Sequence, residues 1–286
     1  MKKYMIICFL LSTKLIAASL PQNKSEFCSR YDDLTIMSDM GSAPQNLMSF
    51  KNQGGIFNGG VCWWHSRFQR NILYLSQFRP DLPRINPKEL KPLIKEIRAG
   101  KSIVIIPGFS NFEEFSETYK KEILKELEAW QIYDGVVLGK WVDGLKGETK
   151  IEVSLLKQKM DELYNYVQVN KKIAYQKLQI KGITSHSWLI VKIKKLDSGY
   201  DLALIDSNNP KQTENYSYKI GDESFFDKSY GNFVPYLEFT REEIRLDTIA
   251  KAYCDIVSPL AQDTVIKNYD ADYEADLLDI KLSQEY

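Results

Sequence analysis

SHSWLIVKIKKLDSGYDLALIDSNNP, residues 185–210, decides the fold. Two β-branched, partly alternating runs flank Asp197-Ser198-Gly199, which reads as a strand, a tight turn and a return strand. If Leu196 pairs with Tyr200 across a three-residue loop, Asp206 falls opposite Ile190 and His186 opposite Pro210. Residues two apart on a strand share a face, so His186, Asp206 and Asn208 would lie on one face, diagonally displaced. A two-residue loop would break this relation. Asp206 ends an apolar run, where a carboxylate is costly without a partner. An Asx turn through the following Ser-Asn-Asn-Pro is its other reading.

The surrounding sequence extends the same pattern. After Lys172 the period shifts toward two, and 173–180, 200–207, 216–220 and 233–239 read with 185–196 as successive strands joined by short turns, an antiparallel sheet. Before Lys172 the pattern is mostly helical. A helix is expected over 62–78, with Trp64, Phe68, Ile72 and Leu75 on one face, ended by the three prolines of 79–87. Residues 88–100 read as a short helix stopped by Gly100, and 102–109 as a buried strand. Asn111 is placed to cap one long helix over 112–131, Ser154 to cap another over 155–172. Residues 134–144 read as a strand and 240–257 as a last helix, while polar residues 20–50 are expected to wrap the surface. Helices first and strands later argue for an α+β fold with helices packed on one sheet.

The N-terminus differs from the rest. Lys2 and Lys3 precede an apolar run from Tyr4 to Leu11, then small residues at Ala17, Ala18 and Ser19: the three-part pattern of a secretory signal peptide. Cleavage is expected after Ser19 or Ala18. The run is short for a membrane span, and an uncleaved anchor is the other reading. Removal of 1–19 takes Lys2, Lys3 and Lys14 from 38 basic residues and none from 38 acidic ones, leaving 35 against 38. The remaining 20–286 reads as one domain, exported to the periplasm or secreted, with no basic excess for nucleic acid and no stable membrane span. Cys8 leaves with the signal, so Cys28, Cys62 and Cys254 remain. An exported compartment permits disulfides, and the economical reading pairs Cys28 with Cys254 and leaves Cys62 free; three free thiols are the alternative.

A cysteine nucleophile needs a base, a group to orient that base, and donors for the oxyanion. Cys62 follows Gly59-Gly60 at the expected helix start, where the positive dipole end favours thiolate. The base must come from His65 or His186. His65 shares the helix with Cys62 and reads as structural, whereas His186 arrives from a separate element. Asp206 is the candidate orienter. The backbone N–H of Cys62 and the side-chain amide of Gln53, nine residues upstream, are candidate oxyanion donors. Gly60, Trp63 and Trp188 lie beside this set and are candidate substrate contacts; core burial is the other fate of such tryptophans. Two histidines and no CxxC support no metal site, there is no Gly-rich phosphate loop, and no cofactor is expected.

These residues carry a resemblance. KNQG at 51–54 with GGVCWW at 59–64, and the two strands around His186 and Asp206, resemble the papain-like cysteine peptidases, in the order Cys, His, Asp or Asn. The resemblance implies a papain-like domain with its nucleophile helix packed on an antiparallel sheet, and a helical insertion at about 86–170. It implies Cys62 as nucleophile, His186 as general base and acid, Asp206 as orienter and Gln53 as oxyanion donor, acting on a protein or peptide amide. The spacing from Gln53 to Cys62 is longer than in papain, and the third member is aspartate, as in some bacterial branches. The HSW and LIDSN segments also resemble transglutaminase-like relatives with the same residue order, for which acyl transfer or deamidation is implied. A non-catalytic binding module with this fold is the remaining reading.

Overall fold

The structure, a computed structural model, describes residues 19–32, 36–137, 147–182, 184–229, 231–238 and 240–268. The expected signal segment before Ser19, the part of the expected 134–144 strand beyond Val137, and the acidic tail lie outside them. The described helices are α1 (Lys24–Asp32), α2 (Ile36–Ser42), α3 (Cys62–Leu75), α4 (Pro87–Ala99), α5 (Phe112–Thr118), α6 (Lys120–Gln131), α7 (Val153–Tyr164) and α8 (Thr240–Tyr253). The strands are β1 (Ser76–Arg79), β2 (Val104–Pro107), β3 (Ala174–Gln179), β4 (Ser185–Leu196), β5 (Gly199–Asp206), β6 (Glu214–Lys219), β7 (Phe225–Asp227) and β8 (Gly231–Glu238). Among the described residues no helix is long and apolar enough to cross a membrane.

β3–β8 form a six-stranded antiparallel sheet in the order β6-β5-β4-β3-β8-β7. The fold is therefore α+β. Its two faces enclose separate cores. On one, Tyr175, Leu189, Val191 and Ile205 join the core built around α3, which also takes in Leu93 and Ile97 of α4 and Ile123 and Leu127 of α6. On the other, Trp188, Ile190, Ile193, Leu202 and Leu204 pack with Leu156, Met160 and Leu163 of α7. Residues 86–170 thus split between the two cores.

Helix α3 is the centre of the molecule, with every residue from Trp63 to Leu75 buried. Its sequence carries polar residues that neighbouring elements engage. Gln69 accepts from the Met48 amide at 3.2 Å, and Asn71 donates to the Ile97 and Arg98 carbonyls at the end of α4, at 2.9 and 3.0 Å. Arg67 and Arg70 share the Glu242 carboxylate of α8, and Arg67 also holds Asp134 at 2.6 Å. Buried side chains of this kind are tolerated only when paired. At the far end, Arg30 of α1 donates to the Leu73 and Tyr74 carbonyls at 3.1 and 2.9 Å, a cation at the helix C-terminus.

Several expected elements differ. The 62–78 helix ends at Leu75: Ser76 turns extended, its hydroxyl donates to the Ile72 carbonyl, and Ser76–Arg79 pairs in parallel with β2. The 112–131 helix, capped by Asn111 as expected, breaks at Tyr119, whose ring packs against Phe109 and Phe115. Ser154 is not the cap of α7; Glu152 stands there without a side-chain bond. Ile132–Val137 is a π-helical turn rather than the start of a strand, and Asp134 within it pairs with Arg67. Residues 20–50 do not merely wrap the surface. They place Phe27, Met40, Met48 and Phe50 in the core.

The hairpin turn is also shorter than expected. Leu196 pairs with Gly199, leaving a two-residue loop, which alone would set Asp206 opposite Leu189 and away from His186. The register then shifts between Ile190 and Lys192, so that Val191 is a bulge and Asp206 falls opposite Trp188. The bulge restores what the short turn would have broken. Helix α2 covers it: Ser38 donates to the Val191 carbonyl at 2.6 Å, and a Cβ on Gly41 would lie 2.9 Å from the Val191 side chain.

Candidate active site

Cys62 opens α3, where the first-turn N–H groups have no helical partner. It is partly exposed and has no disulfide, while Cys28 of α1 and Cys254 after α8 are joined to each other. The chain enters the helix through a closed loop. Gly60 N–H donates to the Gly54 carbonyl at 2.8 Å, which brings Gln53 back toward the helix start despite the eight residues between Gln53 and Cys62. Helix α6 buckles this loop down: Gln131 accepts from Ile56 N–H at 2.8 Å and donates to the Gly60 carbonyl at 2.9 Å. One turn along α3, His65 Nε2 meets the Phe50 carbonyl at 3.0 Å. Burial holds the His65 pKa down at about 4, so its ring is neutral, Nε2 is the donor, and its place is structural.

His186 sits at the start of β4 and Asp206 at the end of β5, on the shared face that the bulge makes possible. His186 Nε2 lies 2.7 Å from Asp206 Oδ1, and both residues are buried. Trp188 donates its indole N–H to Asp206 Oδ2 at 3.0 Å, and Asn208 its backbone N–H to Oδ1 at 2.8 Å. Burial alone would raise the Asp206 pKa; the His186 hydrogen bond and charge, with the Asn208 and Trp188 donors, outweigh it and hold the carboxyl below its ordinary range. For His186, burial disfavours the cation most strongly. Hydrogen bonds to Asp206 and Cys62, and the charges of both, overcome it and raise the imidazole to about 10. With Nε2 committed to Asp206, Nδ1 is the nitrogen available to Cys62. The Cys62 sulfur also lies 3.8 Å from the Ser185 carbonyl.

Cys62, His186 and Asp206 are therefore together. Gln53 is half-buried in the loop that leads into α3. Gly60 lies at the loop's end with φ +89°, a conformation that suits glycine. Trp63 and Trp188, at 5% and 4% exposure, have little surface to offer a substrate. Instead Trp63 donates its indole N–H to the His186 carbonyl at 3.2 Å, and Trp188 holds Asp206. Three residues that the sequence reading passed over join the site. Ser187 donates to the Cys62 carbonyl at 2.9 Å and meets the Ser66 hydroxyl at 3.0 Å, pinning β4 to the first turn of α3. Asn52 bonds to the residue before Cys62 and to the segment after Asp206.

The arrangement has the parts for nucleophilic acyl transfer: a thiol at a helix start, an imidazole on the strand pinned to that helix start, and a carboxylate behind the imidazole. Comparison with family models, with curated proteins and with solved structures finds no match for this chain.

Proposed function

We propose that this chain is an exported, papain-like cysteine hydrolase that cleaves peptide or amide bonds. The observation that carries the reading is the His186 ring, bonded through Nε2 to Asp206 at 2.7 Å, on a strand whose next residue, Ser187, is bonded to the Cys62 carbonyl at the start of α3 at 2.9 Å. In this reading the reacting pair is a Cys62 thiolate and a His186 imidazolium. The sulfur attacks the scissile carbonyl carbon, and the new oxyanion is met by the Cys62 backbone N–H and the Gln53 amide. Collapse breaks the C–N bond, and the His186 Nδ1 proton goes to the departing amine, leaving a thioester. His186 then takes a proton from water, whose oxygen attacks the thioester carbonyl; the C–S bond breaks and the thiolate returns. Trp63 and Trp188 brace the base and its orienter from behind, and Gly60 borders the nucleophile. No step calls for a metal or cofactor. The Cys28–Cys254 bridge supports a periplasmic or secreted location, since such bonds persist in oxidising compartments.

The test is peptide-bond hydrolysis, read as new amino termini released from a mixed peptide pool, with and without a primary amine. Wild-type protein should release them, and Cys62→Ala and His186→Ala should not. Release that survives Cys62→Ala would sink the reading. Incorporation of the amine in place of hydrolysis would reassign the acceptor to a transglutaminase-like reaction.

A further inference from the structure

The nucleophile and the base reach the site from opposite halves of the chain, and one side chain spans the gap. Asn52 Oδ1 accepts the Val61 backbone N–H, the amide immediately before Cys62. Asn52 Nδ2 donates to Asn208 Oδ1 at 3.2 Å, and its own backbone N–H donates to the Ser207 carbonyl at 2.6 Å. Asn208 in turn gives its N–H to the Asp206 oxygen that also holds His186. The path Cys62–Val61–Asn52–Asn208–Asp206–His186 thus closes through hydrogen bonds what the backbone leaves more than a hundred residues apart. The amide orientation is not ambiguous: Val61 N–H can only donate, so oxygen faces it and nitrogen faces Asn208.

Asparagine is suited to this place because one short side chain must accept on one side and donate on the other. Aspartate lacks the donor and alanine lacks both. The neighbouring glycine fits the same account. A Cβ on Gly60 would lie 2.6 Å from Asn52 Oδ1 and 2.5 Å from Nδ2, inside the amide. Gly60 is bare where Asn52 passes.

We infer that Asn52 is a positioning residue, which sets the distance between the nucleophile helix and the turn carrying the orienter. The inference rests on the thiolate–imidazolium reading above. A misplacement of about 1 Å between such groups costs on the order of 10²-fold in rate, so the bridge is worth more to the site than to the stability of the fold.

The test is the pH dependence of Cys62 alkylation by iodoacetamide in the intact, disulfide-bonded chain, followed at the Cys62 peptide by mass spectrometry. Wild-type protein should keep a plateau of reactivity between pH 5 and 7, the mark of a thiolate held by an imidazolium. Asn52→Ala should lose that plateau, with the rate at pH 6 falling by about tenfold or more. Asn46→Ala is the control: Asn46 is a buried asparagine that donates to the Met40 carbonyl, and its loss should lower the melting temperature but leave the profile in place. A plateau that survives Asn52→Ala overturns the inference, as does an equal loss in Asn46→Ala. If Asn52→Ala does not fold, Asn208→Ala removes the same link while keeping the Asn208 backbone donor to Asp206; an unchanged plateau there overturns it too. A wild-type profile without a plateau overturns the ion-pair reading itself, and this inference with it.

Discussion

At the scale of single residues, two histidines show how environment divides one chemistry into two roles. His186 has its pKa raised by Asp206 and Cys62, so the protonated form and its pairing are fully present below the ordinary value of 6.5 and fade only as pH rises through about 10. Asp206→Ala removes the carboxylate that contributes to this shift. The alkaline limb of kcat/KM should therefore move to lower pH, with a loss on the order of 10²-fold or more at neutrality, read from a pH–rate profile. His65 behaves oppositely. Its folded pKa of about 4 lies below the unfolded 6.5, so between those values the unfolded chain binds the extra proton and stability falls as pH falls. Urea unfolding at pH 7 and pH 4.5 should show a drop of up to about 3 kcal/mol, which His65→Gln should largely remove. Cys62, His186 and Asp206 were legible in the sequence because residue types, a helix start and a hairpin mark them. Asn52 was not. A loop asparagine has no period, and its partners lie 9 and 156 residues away.

At the scale of elements, the β4–β5 hairpin was legible as a hairpin but not in register. Alternation identifies strands; it does not reveal that a two-residue turn and a bulge cancel. That cancellation gives a direct test. An alanine inserted between Asp197 and Ser198 lengthens only the turn and should be tolerated. An alanine inserted after Val191 must be absorbed by a second bulge or by a slip that turns His186 off the face of Asp206. Activity should vanish in the second variant and persist in the first, with near-native circular dichroism in both. Helix α3 was legible at its glycine-marked start. Its end was not, because Ser76–Arg79 takes its conformation from β2, about thirty residues on. Nor does the sequence reveal that α8 pairs with the middle of α3. Glu242→Ala would leave the Arg67 and Arg70 guanidinium groups without their shared carboxylate, and chemical denaturation should show a loss of about 3–5 kcal/mol.

At the scale of the whole molecule, the α+β order was readable from the change in period after Lys172. The placement of α7 on the far side of the sheet, and the burial of residues 20–50, were not. Phe27, Arg30, Met40 and Met48 are buried, and Arg30 of α1 lies over the Phe27 ring and against the Met40 sulfur of α2, a contact between helices that no single run of sequence marks. The Cys28–Cys254 bridge, with 226 residues of sequence separation, ties the helix that caps the end of α3 to the segment following the helix that neutralises its middle. Replacing both cysteines with serine should cost about 2–5 kcal/mol in chemical denaturation while leaving the Cys62 alkylation profile unchanged, since the bridge joins α1 to the segment after α8 and not to β4 or β5. The bridge has a further consequence for a chain exposed to proteolysis. A single cut anywhere between residues 28 and 254 opens a ring rather than severing a thread: the two fragments stay covalently joined, and the protein can survive a nick that would part an unbridged chain.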